Sequence, residues 1–158
     1  LFAELAPEAV AVLNGDDPAS SSFAEGTRAQ VVWYGTEPGN TIRASDVELD
    51  IGGSRFRLRL GDHSLPVSLS LLGRHNVSNA LAAAGAAHAL GVAPEAIRTG
   101  LESLRAVPGR LEPVTCGQPF AVLVDYAHTD DALENSLSAV RPWTKRQLIV
   151  VFGCGGQG

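Results

Sequence analysis

The chain has 158 residues, of which 45% are hydrophobic and 18% charged, and its formal net charge is −5. This composition is typical of a globular protein with a buried core and excludes a disordered chain, while the acidic balance argues against a nucleic acid as a partner. Because no run approaches 18 consecutive apolar residues, we also expect no membrane insertion.

The chain contains no methionine, begins with Leu1-Phe2 and stops at Gly158 inside a glycine-rich loop. We therefore expect an internal fragment of a longer protein. Cys116 and Cys154 are too few for a disulfide framework or a four-ligand metal site. A reducing, cytoplasmic location is the expectation that follows.

The first part of the chain alternates between strand and helix patterns. Residues 1–8 are typical of the end of a helix. Apolar strands are predicted over 9–13 and 30–34, with a short helix over 18–24 that Asp17 caps. This order predicts a parallel α/β sheet.

Apolar and polar residues then alternate from residue 41 to residue 71, with turn glycines at 52–53. The pattern predicts an antiparallel meander. Arg55, Arg57 and Arg59 fall on one face of its middle strand. Such a row could bind phosphates, but a solvated face is the commoner outcome, and we favour it.

Two helices are predicted next. The alanine-rich segment 77–90 predicts a helix that approaches the sheet closely, and Gly91 is expected to end it. Pro94 lies in the first turn of the second helix. The apolar stripe of that helix is predicted to comprise Ile97, Leu101 and Leu104.

A hinge at 107–109 separates two predicted domains, one over 1–108 and one over 109–158. Within the second, residues 111–114 predict a short strand. The helix that follows is expected to run from its cap, Thr129, to about Val140.

Two further strands are predicted over 120–124 and 147–152. Both are almost wholly apolar, which is typical of strands covered on both faces. In open α/β sheets, ligands lie beyond the carboxyl ends of such strands.

The first of these strands ends on Asp125, Tyr126 and His128. A carboxylate there can accept hydrogen bonds from a ribose diol, and an aromatic ring can lie against a flat base. The alternative is that Asp125 only forms a turn and that His128 is a partly buried linker residue. At this point both interpretations stay open.

Two other groups of polar residues are candidates for ligand binding. Asn76 and Asn79 lie one turn apart at the start of a helix, where amides can grip a base edge or a phosphate, unless Asn76 is merely the N-cap. Arg110 follows the hinge and could reach an inter-domain cleft to neutralise phosphate, or form a surface ion pair.

The last six residues, 153–158, match the pattern G-x-G-x-x-G after a predicted strand. A dinucleotide fingerprint should also open a helix and precede an acidic residue, and neither can be checked here. Cys154 is interpreted as a small buried residue rather than a nucleophile, because no histidine or cationic residue neighbours it.

In combination, these segments resemble the Mur ligases, the ATP-dependent amide ligases of peptidoglycan assembly. The similarity is to the branch that adds the third stem-peptide residue. The segments that carry it follow in the family's order: VLNGDDP, LLGRHNVSNALAA, VPGRLEPV, VDYAHTDDALEN and LIVVFGCGG.

The resemblance implies an α/β fold. Residues 1–108 would be the C-terminal part of the central ATPase domain, a mixed sheet with an antiparallel meander, and 109–158 the start of a Rossmann-like C-terminal domain. It implies an ADP-forming ligase, monomeric when complete, that joins meso-diaminopimelate or lysine to the UDP-muramoyl dipeptide UDP-N-acetylmuramoyl-L-alanyl-D-glutamate.

The resemblance also assigns residues to the ATP site. Asn76 and Asn79 correspond to the family's nucleotide-contacting pair, and Arg110 corresponds to its hinge arginine. Asp125 corresponds to the ribose-binding acid, and Tyr126 and His128 correspond to its adenine-side neighbours. The P-loop and the ligands of Mg²⁺ are expected outside this chain. We therefore assign no catalytic residue or metal ligand and expect no ligase activity from the chain alone.

Two other functions stay open. One is a nicotinamide-dinucleotide-binding oxidoreductase that uses the glycines of 153–158. The other is a non-catalytic nucleotide-binding module that keeps the Asp125 site but lacks the P-loop.

Overall fold

The computed structural model describes residues 2–153 and forms an α/β fold. Short 3₁₀ turns lie at Phe2–Glu4 and Arg141–Trp143. The strands and helices, in chain order, are β1 (Val10–Asn14), α1 (Ser20–Glu25), β2 (Gln30–Gly35), β3 (Ile42–Asp50), β4 (Gly53–Leu60), β5 (His63–Leu69), α2 (Arg74–Ala89), α3 (Pro94–Ser103), β6 (Glu112–Pro113), β7 (Leu123–Val124) and α4 (Asp130–Val140).

The main sheet is mixed and has the strand order β1-β2-β3-β4-β5. Its first three strands run parallel, and β3, β4 and β5 pair antiparallel. The predicted α/β class and antiparallel meander are therefore confirmed. Residues 1–8 differ from the prediction, because the part that the structure describes holds one 3₁₀ turn in place of a helix end.

The middle strand of the meander, β4, has one buried and one exposed face, as its alternating sequence predicts. Its buried side chains are Ser54, Phe56, Leu58 and Leu60. The arginine face is exposed, and Arg55 contacts the carboxylates of Asp50 at 2.6 Å and Glu48 at 3.5 Å. The favoured interpretation of this row as a solvated face is confirmed.

Strand β3 contains a β-bulge between Ser45 and Glu48, where its register with β4 shifts. Within the bulge Asp46 has a φ of +53°, a left-handed conformation that aspartate tolerates better than most residues. Its carboxylate lies 3.8 Å from the guanidinium of Arg57 on β4.

Helix α2 packs its alanine-rich face on the sheet, and the core lies between them. Gly85 allows this close approach, because a Cβ on Gly85 would lie 2.8 Å from Cγ1 of Val12 on β1. The fully buried side chains of this core include Ile42, Leu58, Leu60, Leu81 and Ala84.

The predicted end of α2 and start of α4 are confirmed, whereas Asp17 is not the cap of α1, because Ala19 occupies that position without a side-chain cap. Gly91 follows α2 with a φ of +77° and donates its N–H to the carbonyl of His88 at 2.9 Å. Thr129 caps α4 by accepting the N–H of Ala132 at 3.2 Å. In α3 the stripe is shorter than predicted, because Leu104 lies past the last helical residue and is exposed.

The prediction of two buried strands over 120–124 and 147–152 is wrong. Of these segments, only Leu123–Val124 forms a strand, which pairs antiparallel with Glu112–Pro113. Residues 147–152 form no strand. Ile149 is 76% exposed and Val151 93%. The apolar sequence of 147–152 favours burial of this segment against other residues. Within residues 2–153, however, no neighbouring elements bury it on both faces.

A small apolar cluster joins the two parts of the chain. It consists of Leu72 just before α2, Leu111 after the hinge and Val140 at the end of α4. Trp143 packs against these buried side chains. The start of α2 is thereby held beside α4. None of the helices within residues 2–153 has the length and apolar character needed to cross a bilayer.

A second organising feature lies at the carboxyl ends of β1 and β2. The carboxylate of Asp16 accepts hydrogen bonds from Thr36, through both its N–H at 2.6 Å and its hydroxyl at 2.8 Å. It also accepts bonds from the N–H of Glu37 and the amide of Asn40. Partial burial opposes ionisation, but these four donors outweigh it and lower the pKa of Asp16.

We predict that Gly85→Ala destabilises the chain by about 1 kcal/mol, because overpacking against Val12 outweighs the gain in helix propensity. Gly100 in α3 is the matched control, since a Cβ there would meet nothing within 4 Å. Gly100→Ala should stabilise by roughly 0.5–1 kcal/mol. Urea unfolding measures both free energies, and a shift of the same sign in both variants would contradict the packing argument.

We predict that Asp16→Asn lowers the free energy of unfolding at pH 7 by about 1–2 kcal/mol, allowing for solvent screening of this exposed site. Because the native pKa is lowered, the contribution is present above the unfolded pKa of about 4 and is lost as the pH falls through the native value. Urea unfolding from pH 7 to pH 2.5 should show the two curves converging in acid. A difference in unfolding free energy that does not change with pH would exclude the Asp16 carboxylate as its source. Asp62→Asn, in the exposed β4–β5 turn, is the control.

Candidate functional site

A cavity of about 910 Å³ lies between the first turns of α2, the hinge and α4. Val47 and Leu49 of β3 form part of one wall, and Trp143 lies on another. The polar side chains that line it come from several separate segments: Arg74, His75, Asn79, Arg110, Asp125, Asn135, Ser136 and Ser138. We refer to this cavity as the cleft.

The start of α2 brings side chains to the cleft through an unusual glycine. Gly73 precedes the helix with a φ of +88°, a conformation that favours glycine. A Cβ on Gly73 would lie 2.8 Å from Cε1 of His75 and 3.5 Å from Cβ of Ala139. The His75 ring thus folds back over Gly73, where α2 meets α4.

Asn76 and Asn79 contact each other in the first turns of α2. Asn76 is 2% exposed, donates its amide to the carbonyl of Leu72 at 2.8 Å and accepts the amide of Asn79 at 3.3 Å. Asn76 is not the N-cap, because Gly73 occupies that position without any side-chain cap. Asn79 lines the cleft, and Asn76 orients it from below.

Arg110 lies at the tip of the hinge turn and lines the cleft. The N–H of Arg110 donates to the carbonyl of Val107 at 3.0 Å, and Gly109 and Leu111 on either side both have positive φ. No carboxylate within residues 2–153 lies within salt-bridge distance of Arg110. The structure therefore gives no support to a surface ion pair at Arg110.

The Asp125 carboxylate faces the cleft and is held by three donors. Oδ2 accepts the N–H of Leu111 at 2.8 Å, across the hinge. Oδ1 accepts the N–H of Ala127 at 2.9 Å and the hydroxyl of Ser136 at 3.1 Å. Asp125 does form a local turn, through Ala127, but two of its three bonds reach other segments.

Tyr126 and His128 lie outside the lining of the cleft. Their rings contact each other, with centroids 5.0 Å apart, and Nδ1 of His128 lies 3.0 Å from the carbonyl of Tyr126. Tyr126 is 70% exposed. Adjacent residues of an extended chain point to opposite sides, which separates Tyr126 from Asp125.

His75 and Ser136 line the cleft but were not among the residues that the sequence indicated. Desolvation lowers the pKa of His75, and the positive charge of Arg110 acts in the same direction against the opposing effect of Asp125. The imidazole is therefore largely neutral at pH 7. His75 could have been predicted from the sequence, because it directly precedes Asn76 in the first turn of the same helix. No sequence signal indicates Ser136.

The terminal glycine pattern and Cys154 fall mostly outside the described residues, which end at Gly153. The predictions made for them stay predictions.

Two family models match the chain. The Mur ligase middle domain matches residues 1–87, and the glutamate ligase domain of Mur ligases matches residues 109–158. Together they flank the hinge and cover most of the described residues.

Curated relatives agree with these matches. A UDP-N-acetylmuramoyl-L-alanyl-D-glutamate–2,6-diaminopimelate ligase of Halalkalibacterium halodurans is 48% identical over 93% of this chain and 30% of its own length. The enzyme of the same name in Solibacter usitatus is 43% identical over 95% of the chain and 30% of its own length. The chain thus spans about three tenths of the length of the curated relatives it matches.

Solved structures share the fold. MurF from Acinetobacter baumannii superposes with a TM-score of 0.80 at 27% identity, over 90% of this chain and 31% of its own. A UDP-N-acetylmuramoyl-L-alanyl-D-glutamate–2,6-diaminopimelate ligase superposes with a TM-score of 0.73 at 31% identity, over 95% of this chain and 32% of its own. The resemblance of the sequence segments is thereby confirmed: this chain belongs to the Mur ligase family.

Proposed function

We propose that the chain is part of an ATP-dependent, ADP-forming ligase of peptidoglycan biosynthesis. Its substrates would be UDP-N-acetylmuramoyl-L-alanyl-D-glutamate and a diamino acid. The names of the relatives at 40–48% identity favour 2,6-diaminopimelate over lysine. Family membership supports this proposal over a nicotinamide-binding oxidoreductase.

The domain assignment is part of the proposal. Residues 1–108 would belong to the central ATPase domain and 109–158 to the C-terminal domain. The hinge turn at Val107–Leu111 supports this division, since the chain crosses there from the main sheet with α2 and α3 to the unit built on β6, β7 and α4.

The observation that carries the proposal is that one cleft gathers Asn79, Arg110 and Asp125 from three separate segments. The volume of the cleft, about 910 Å³, is within the usual range for small-molecule sites and suits a nucleotide. A guanidinium can pair with phosphate oxygens in a forked geometry. Arg110, without a carboxylate partner among the described residues, is available for that role.

Asp125 also retains capacity for a ribose hydroxyl. Each carboxylate oxygen has about two acceptor sites. Oδ1 already accepts from Ala127 and Ser136, whereas Oδ2 accepts only from Leu111. We assign the remaining acceptor site of Oδ2 to a ribose hydroxyl.

The other candidate residues take supporting positions in this proposal. Asn79 contacts the nucleotide directly, and Asn76 orients it through the bond between their amides. Tyr126 and His128 form a ring pair outside the lining of the cleft, and the role proposed for them is that of adenine-side neighbours of the nucleotide.

ATP would supply the phosphoryl group that activates a substrate carboxylate for attack by the incoming amine. The residues of this chain hold and orient the nucleotide and offset its charge, which is the main contribution of proteins to phosphoryl transfer. Residues 2–153 contain no group of three His, Cys, Asp or Glu side chains placed to hold a metal ion. The ligands of Mg²⁺ are expected outside this chain. The proposal includes a cytoplasmic location and a monomeric state for the complete enzyme.

We predict that ADP quenches the fluorescence of Trp143, which lines the cleft. In a Trp33→Phe background Trp143 is the remaining tryptophan. Arg110→Ala should raise the Kd for ADP about tenfold or more, because a charge-assisted bond to phosphate is lost.

Arg105→Ala is the matched control, since it removes an equal charge from an exposed residue five positions before Arg110. Its Kd should stay close to that of the parent chain. Equal affinities for all three proteins, or equal losses in both variants, would count against a specific phosphate contact at Arg110.

A further inference from the structure

The hinge turn contains a conformation that leucine rarely adopts. Leu111 has a φ of +45°, and within residues 2–153 Asp46 is the other non-glycine residue with positive φ. Unlike Asp46, Leu111 is buried, at 4% exposure, in the cluster with Leu72 and Val140. A left-handed leucine persists only where its surroundings hold it.

Two hydrogen bonds tie this turn to the end of β7. The N–H of Leu111 donates to Oδ2 of Asp125 at 2.8 Å, and the N–H of Tyr126 donates to the carbonyl of Gly109 at 2.8 Å. Arg110 lies between the two tied residues, Gly109 and Leu111. The direction in which its side chain leaves the turn therefore depends on these bonds.

The Asp125 carboxylate is itself fixed. Ser136 of α4 and the N–H of Ala127 both hold Oδ1, which leaves Oδ2 turned toward Leu111. A carboxylate held in this way bonds an N–H more strongly than a neutral acceptor does.

We propose that Asp125 is a positioning residue for Arg110: its Oδ2 clamps the left-handed turn at Leu111 and so holds the arginine in the cleft. This role exists without any nucleotide. It adds to the ribose contact of the proposed function and does not depend on it.

Limited trypsin digestion of the 158-residue chain without nucleotide tests the clamp, because the Arg110–Leu111 peptide bond contains the clamped N–H. The Arg105–Ala106 bond, in the exposed segment after α3, serves as the internal reference. In Asp125→Ala, cleavage after Arg110 should rise about tenfold relative to cleavage after Arg105, because a hydrogen bond to a charged group no longer opposes local opening.

Two variants complete this experiment. Asp125→Asn should restore part of the protection, since its amide oxygen can still accept the N–H of Leu111. Asp131→Ala removes an equal charge from the exposed first turn of α4 and should leave the ratio unchanged. Equal acceleration at both bonds in Asp125→Ala, or no change after Arg110, would overturn the clamp.

The affinity for tripolyphosphate tests whether the clamp acts through Arg110. This anion has no ribose, and removing a nearby carboxylate should by itself strengthen its binding. If Asp125 positions Arg110, Asp125→Ala should instead weaken binding several-fold, and only while Arg110 is present. In an Arg110→Ala background the same change should not weaken binding.

This second measurement rests on the proposed phosphate contact of Arg110, whereas the digestion does not. Absence of tripolyphosphate binding to the parent chain would count against the phosphate contact and leave the digestion to decide the clamp. Stronger binding by Asp125→Ala would show that Asp125 acts by charge alone, and the positioning role would be rejected.

Discussion

The contact on which the cleft depends is the apolar cluster of Leu72, Leu111 and Val140. Each side chain comes from a different segment: the loop before α2, the end of the hinge turn, and the last turn of α4. Burial of three large aliphatic side chains contributes several kcal/mol in total, on the order of 1.5–3 kcal/mol each. It holds the start of α2 against α4, and the polar residues around that junction consequently face one cavity.

The position of α2 depends in turn on its small residues. Alanines and Gly85 let the helix approach the sheet until Gly85 is in contact with Val12. A bulkier face would move the whole helix outward, and its first turn would move with it. Packing at Gly85 therefore sets the position of Asn79 and His75, roughly two and three turns away.

Much of the fold could be predicted from local pattern. Alternation of apolar and polar residues predicts the meander, and its strict form in β4 predicts the exposed arginine row. Gly91 and Thr129 predict helix ends through their own backbone and side-chain chemistry. The same reasoning failed at 120–124 and 147–152. An apolar composition shows that a segment favours burial. Which other segment packs against it depends on contacts between residues far apart in the sequence.

The site shows the same division. Asp125 is predictable as a candidate because α/β proteins place ligands at strand ends, and Asn79 because helix periodicity relates it to Asn76. The bonds from Asp125 to Leu111 and Ser136 join residues 14 and 11 positions apart. No spacing rule predicts such contacts, since they exist only after α4 has packed beside the hinge.

The bulge in β3 has a consequence for the chemistry of the cleft. Before it, the even-numbered Ile42 and Ala44 are buried, and after it, the odd-numbered Val47 and Leu49 turn inward. If this sequence formed a regular strand without the bulge, strict alternation would instead turn Asp46 and Glu48 inward. The bulge thus gives the cleft an apolar, water-repelling wall at Val47 and Leu49, where strict alternation would have placed carboxylates that repel any anion.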